Sequence, residues 1–394
     1  MAPSFQDIVE EARLSARALM DYGDQFFNPT VRLGVTGLSR AGKTVFITAL
    51  VQNLLRAGTA AREGERVLPV FRVHAEGRLM RAKLQPQPDD HVPRFADEDH
   101  LAALTGEDRH WPDSTRRISE LRLTLEFERR KGMRQGPSEL TLDIVDYPGE
   151  WLLDLPLLGQ DFRRFSEATT ELARTGIRAE LARDWLDLCA AIDMDGPADE
   201  MVARQLATTF TAYLRACKAD ERSLSTLPPG RFLMPGDFAG SPLLAFAPLD
   251  IPPSTDLPRG SLGALMQRRY DSYVSTIVRP FFFGHFARLD RQIVLVDTLT
   301  ALNAGAGAVK DLQQALTQIL TCFRQGSNSI LSAMFGRRID RILFAATKAD
   351  LLHHTSHDKL ENILKLIVEE AMSRAEYAGA EIEVAAIAAI RATR

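Results

Sequence analysis

Apolar residues change their period several times along the chain, and each change marks an element. Residues 31–36 form a short apolar run of the kind that fills a buried strand, and residues 45–55 carry apolar side chains at helical spacing. Leu121, Leu123, Leu125 and Phe127 alternate with Arg122, Thr124, Glu126 and Glu128, which predicts a half-buried strand. Gly132, Gly136 and Pro137 then mark a hairpin turn over 131–138, and residues 140–146 return as the second strand. Further apolar strands are predicted at 292–297, 341–346 and 382–390, separated by helices over 308–324 and 357–377. The alternation predicts an α/β sheet that is mostly parallel, with one antiparallel hairpin strand.

The sheet pattern is interrupted. Residues 151–222 have helical periodicity, and 225–260 hold Pro228, Pro229, Pro235, Pro242, Pro248, Pro252, Pro253 and Pro258, too many for regular helix or central strand. A helix follows over 261–278. The interruption runs to roughly 140 residues, long enough for a helical subdomain of its own. Four segments result: an N-terminal helix within 1–28, a first core part at 29–150, an inserted, mostly helical part at 151–290, and a second core part at 291–394. Residues 81–114 contain Pro86, Pro88, Pro93 and Pro112 and are expected to be mostly irregular.

Composition narrows the function classes. The net charge of -4 gives no basic footprint for nucleic acid. Cys189, Cys217 and Cys322 are far apart in helical contexts, which fits core residues of a cytoplasmic protein better than a disulfide framework or zinc site. The N-terminal residues lack the basic start and apolar run of a secretion signal, and no stretch has the ~18 consecutive apolar residues of a membrane span. Phe281-Phe282-Phe283 is short and flanked by Arg279 and His285, so it reads as a buried anchor rather than a membrane wedge.

Gly37-Leu38-Ser39-Arg40-Ala41-Gly42-Lys43-Thr44 fits the phosphate-loop pattern G-x-x-x-x-G-K-[ST], between a predicted strand and a predicted helix. The chemistry needs that context. Backbone N–H groups from Gly37 to Thr44, including those of Ser39, Arg40, Ala41 and Gly42, form an anion cradle at a helix N-terminus. Lys43 is placed to reach the β- and γ-phosphates, and the Thr44 hydroxyl to ligate Mg²⁺.

Three further strings turn a nucleotide binder into a candidate guanine-nucleotide switch. Asp146-x-x-Gly149 ends the second hairpin strand, where a carboxylate would hold Mg²⁺ through water and the Gly149 N–H would meet the γ-phosphate. Thr347-Lys348-Ala349-Asp350 follows an apolar strand and resembles the [NT]-K-x-D signature. Asp350 would accept from guanine N1–H and the 2-amino group, donors adenine lacks, and Lys348 would cover the base. The guanine O6 donor is expected near Ala389, Ile390 or Arg391. In Trp111-Pro112-Asp113-Ser114-Thr115-Arg116, Thr115 is the candidate for Mg²⁺ and γ-phosphate sensing, Ser114 the competitor, and a turn hydroxyl the bland alternative.

Glu150 stands where Ras-like proteins place a water-orienting glutamine; it is either a catalytic group for water or a solvated loop residue. His353, His354 and His357 read as solvated, and Asp297 as a strand-end residue at the ligand edge or a simple cap. Arg40 resembles the loop arginine of guanylate-binding proteins and atlastins, which implies a built-in arginine finger. The alternative is an outward-facing surface arginine. By the same analogy, nucleotide-dependent homodimerisation is an expectation.

Taken together, the strings at 37–50, 111–116, 146–155 and 345–350 resemble the YcjX-like family of bacterial stress-associated P-loop proteins. The resemblance implies a Ras-like core with an inserted helical domain, GTP/GDP and Mg²⁺ as ligands, and a cytoplasmic regulatory GTPase with an unidentified protein effector. Family members run further, so a C-terminal truncation that removes a closing helix is expected. Two other readings remain: an ATPase or small-molecule kinase on the same loop, and a nucleotide-stabilised scaffold with negligible turnover.

Overall fold

A computed structural model describes residues 29–37, 41–63, 67–129, 136–219, 224–252, 256–322, 339–376 and 381–391. The predicted N-terminal helix, most of the hairpin turn, Ser39 and Arg40 lie outside the described residues.

A seven-stranded sheet forms the centre. Its strands are β1 (Thr30–Gly37), β2 (Leu79–Gln85), β3 (Ser119–Arg129), β4 (Gly136–Asp146), β5 (Arg291–Val296), β6 (Arg341–Ala346) and β7 (Glu381–Ala386), in the order β2-β3-β4-β1-β5-β6-β7. Strand β3 runs against its two neighbours, and the remaining pairs are parallel. The full hairpin register, Ser119 against Asp146 through Arg129 against Gly136, brings the chain before β3 and the end of β4 to the same edge. That is also the edge at which β1 hands over to the phosphate loop. In parallel α/β sheets this carboxyl edge is where ligands bind.

The helices follow the periodicity: α1 (Lys43–Glu63), α2 (Asp97–Thr105), α3 (Phe162–Ala173), α4 (Arg183–Ala191), α5 (Glu200–Ala219), α6 (Leu262–Tyr273), α7 (Thr298–Ala304), α8 (Ala306–Cys322) and α9 (His357–Glu376). Asp161 caps α3 by accepting from Arg164 N at 2.8 Å, and Ser261 caps α6 by accepting from Ala264 N at 3.1 Å. The expected helix over 261–278 is real, with its last turn, Val274–Val278, wound as a π-helix.

Most of 81–114 is irregular, as expected, but it is not without regular elements. Strand β2 and helix α2 form there, on either side of the Pro86–Pro93 stretch. Strand β2 is an edge strand. Its hydrophobic signal is weak because Arg81 and Lys83 point to solvent, with Lys83 Nζ donating to Glu126 Oε1 across the ladder at 2.7 Å. Helix α2 has too few apolar residues for a periodic signature, but Asp97, Glu98 and Asp99 in its first turn complement the helix dipole. The last strand stops at Ala386, short of the expected residue 390.

Successive residues of β4 show how the layers divide. Ile144 joins the core under α1, with Ile47, Val51, Leu121 and Leu123. Val145 faces the opposite way, into the large aromatic core of the inserted helices. That core stacks Trp185 on Tyr213 and Phe165 on Tyr270, and it holds Phe281 edge-on to both Tyr147 and Trp151. The Phe281 anchor is therefore buried, as its sequence context predicts. Buried Arg178 donates to Asp311 of α8 at 2.7 Å, fastening the inserted part to the second half of the core. Cys189 and Cys217 are buried thiols, not joined in a disulfide. Among the described residues, no helix is long and apolar enough to cross a membrane.

Candidate functional site

At the carboxyl edge of β1 the chain turns through Gly37 into the loop, and Gly42 adopts φ +76°, a conformation an L side chain resists. Helix α1 begins at once, with Phe46 N donating to Gly42 O at 2.9 Å. The turn leaves Lys43 and Thr44 at the helix start, both mostly buried. Ala41 is buried beside them.

Four side chains from three separate strings meet there. Lys43 Nζ donates to Asp146 Oδ1 and, at 2.7 Å, to Thr115 Oγ1. Thr115 Oγ1 donates to Asp146 Oδ2 at 2.8 Å, and the Thr44 and Thr115 hydroxyl oxygens lie 3.4 Å apart. Of the two candidate hydroxyls, it is that of Thr115 which meets Lys43 and Asp146; Ser114 is exposed. Two hydroxyls and one carboxylate are hard oxygen donors, and among the described residues no three His, Cys, Asp or Glu side chains converge as a metal cluster. Such a sparse set fits an ion that keeps several of its waters, the habit of Mg²⁺.

Beyond Asp146 the chain enters a 3₁₀ segment, Gly149–Gly159, whose side chains are almost all buried in the inserted core. Glu150 is not solvated: it accepts from Lys218 Nζ of α5 at 2.6 Å. Trp151 donates to Met234 O at 2.9 Å, and the Arg231 guanidinium lies 3.2 Å over its ring. Asp154 is buried and accepts from Gly230 N at 2.7 Å. Burial pushes the Asp154 carboxyl up to about 7, against the opposing charge of Arg231. Gly230 sits so close to the Glu150 carbonyl that an added Cβ would lie 1.7 Å from its oxygen.

The second cluster stands at the ends of β5, β6 and β7. Thr347 N donates to Val296 O at 3.0 Å, and Ala349 N donates to Ile387 O at 3.1 Å. Lys348 has φ +61°, the one left-handed non-glycine among the described residues. Its Nζ donates to Asp297 Oδ2 at 2.5 Å, while Asp297 also caps α7 through Thr300 N at 3.2 Å. His357 Nε2 bonds Ala349 O at 2.8 Å, so this histidine holds the loop rather than facing solvent alone. Asp350 is half-buried beside these bonds, and Ala389 and Ile390 follow Ile387 at the same edge.

The motifs thus form two groups on one edge, one suited to phosphates and the other to a base. Sequence reasoning missed Lys218 and left Asp297 and His357 without partners. Only the hydrophobic strand before Asp297 marked its place; nothing in the helical string around Lys218 distinguishes it from a solvated lysine.

Comparison with known families matches residues 31–394 to the YcjX-like family, DUF463. The chain is 39% identical over 372 residues to "Ras-like GTPase YcjX" of Escherichia coli (strain K12), covering 92% of this chain and 78% of the relative. It is 38% identical over 381 residues to "Ras-like GTPase YcjX" of Shewanella oneidensis, covering 92% of this chain and 77% of the relative. With a Ras-like sheet, a phosphate loop at its carboxyl edge and similarity along nearly the whole chain, this protein belongs to the YcjX-like family.

Proposed function

We propose that this protein binds GTP and GDP with Mg²⁺ and hydrolyses GTP as a regulatory switch. The observation that carries the reading is the convergence of Lys43, Thr44, Thr115 and Asp146 from three distant strings. Lys43 would exchange Asp146 for phosphate oxygens, freeing the carboxylate toward the metal. Thr44, Thr115 and Asp146 would hold Mg²⁺, which when bound neutralises phosphate charge. Gly149 would meet the γ-phosphate, while the backbone of Gly37, Ser39, Arg40, Ala41 and Gly42 would supply the anion cradle that the loop motif implies. Thr347, Lys348 and Asp350 would select guanine, with Ala389 and Ile390 next to its O6. Names printed for the relatives support guanine nucleotide as the ligand.

The 151–290 part is the output element in this reading. Glu150 and Trp151 adjoin Gly149 and are held by Lys218, Met234 and Arg231, so movement of Gly149 pulls directly on the inserted helices. Arg40 supplies transition-state charge in cis, and a protein effector and a stress-associated cytoplasmic role follow from the family resemblance. The test is Mg²⁺-dependent phosphate release from GTP by wild type and Lys43→Ala. Release by wild type, reduced roughly hundredfold or more in the variant, is expected. Equal release by both, or release from ATP alone, contradicts the reading.

A further inference from the structure

Asp146 is fixed at the phosphate end by its bonds to Lys43 and Thr115. A short way on, Gly149 opens the 3₁₀ segment, and Glu150 follows it directly. Adjacent Cα atoms are ~3.8 Å apart, so Glu150 goes wherever Gly149 goes. Its backbone is held from both sides. Gly230 packs against its carbonyl, and the next residue, Trp151, donates to Met234 O at 2.9 Å with the Arg231 guanidinium over its ring.

A carboxylate at this place carries an electrostatic problem. Glu150 is 8% exposed, so water and salt screen its charge poorly. The γ-phosphate expected at the Gly149 N–H brings more negative charge to the same stretch of backbone, and like charges repel more strongly in a partly buried site than in water. The inserted part supplies a counter-charge. Lys218 Nζ, in the last turn of α5, donates to Glu150 Oε1 at 2.6 Å. The Lys218 side chain is 28% exposed and that of Glu150 11%, so the ammonium reaches inward from the surface to the carboxylate.

We propose that Lys218 neutralises Glu150 and thereby sets how strongly the site prefers GTP over GDP. The inference rests on the nucleotide reading above and makes a residue of the inserted part a determinant of γ-phosphate affinity. With the pair intact, Glu150 and Lys218 together present no net charge to the γ-phosphate. With the ammonium withdrawn, the carboxylate stays on its clamped backbone and repels it. GDP has no γ-phosphate and is indifferent to the change. A movement of α5 that parts Lys218 from Glu150 therefore lowers GTP affinity selectively. The inserted helices then act on the site as well as responding to it, and linkage makes the two effects reciprocal.

The test uses the full chain in a double-mutant cycle: Lys218→Met, Glu150→Gln and the two combined, with Lys218→Arg as the conservative variant. Each is titrated with GDP and with a non-hydrolysable GTP analogue, Mg²⁺ present. Lys218→Met should weaken the analogue roughly tenfold while GDP stays within about twofold of wild type. The combined variant should return the ratio of the two affinities to within about threefold of wild type, and Lys218→Arg should keep it there. A lysine with a purely structural role would alter both ligands alike and would not be rescued by Glu150→Gln. An unchanged ratio in Lys218→Met, or a lowered one that Glu150→Gln does not restore, overturns the proposal and leaves the nucleotide reading standing. Where Lys218→Met does not fold, Glu150→Gln decides alone: the freed ammonium should raise analogue affinity relative to GDP, and an unchanged or lower ratio overturns the proposal. If wild type binds neither ligand, the nucleotide reading fails and the inference falls with it. If only adenine nucleotides bind, the guanine reading fails by itself, and the same cycle with ADP and an ATP analogue decides the inference.

Discussion

The two ends of the ligand edge are built differently. The phosphate end is a network of side chains: Lys43, Thr44, Thr115 and Asp146 bond to one another, and in the proposed reading each would take a different partner when phosphate arrives. The base end is framed mostly by backbone, with Thr347 and Ala349 bonded to the main chain of Val296 and Ile387. Side-chain networks rearrange at low cost, whereas main-chain bonds between strand ends do not. In the proposed function, the difference suits the first end to sensing and the second to recognition. The inserted helices grip the first end, through the 3₁₀ segment after Asp146.

The largest test of this division is Gly230→Ala. The added methyl meets the Glu150 carbonyl, so the backbone next to Gly149 must shift. A stability loss of about 3 kcal/mol in chemical denaturation is expected, with a weakened response to the γ-phosphate and an unchanged preference for guanine. Loss of guanine preference would mean that the two ends are not separate.

Asp154 sharpens the comparison through pH. Its carboxyl is raised to about 7 in the fold by burial. Below about pH 4 both folded and unfolded chains hold the proton. Between about 4 and 7 the unfolded chain releases it while the fold retains it, so stability falls as pH rises and levels off above 7. Asp154→Asn, which can still accept from Gly230 N, should flatten that decline by about 2 kcal/mol in denaturation midpoints compared at pH 5 and pH 8. An unchanged pH profile would contradict the assignment.

The smallest effect belongs to the base end. Asp297→Ala removes the cap of α7 and the Lys348 partner together. It should cost about 1 kcal/mol in thermal unfolding and weaken GDP several-fold without changing the response of residues 149–159. A change in that response, read by hydrogen exchange, would break the separation.

Much of this was legible in the chain. The alternation at 121–127 reveals β3 because one face is buried and the other wet, and the phosphate loop is explicit in Gly37 to Thr44. Strand β2 escaped because an edge strand with outward Arg81 and Lys83 needs little apolar surface. Helix α2 escaped because its nine residues hold only the single apolar run Leu101 to Leu104, too short to show a period. The partners of Glu150 and Lys348 lie 68 and 51 residues away, and pairings at such separations come from topology alone.

The most direct measurement is a competitive titration of the purified protein with fluorescent GDP and ADP in the presence of Mg²⁺, repeated on Asp350→Asn. The account predicts a GDP preference of roughly a hundredfold or more that the variant loses while phosphate-end contacts persist. Comparable affinities for GDP and ADP in the wild type would contradict it and favour an ATPase or kinase on the same loop.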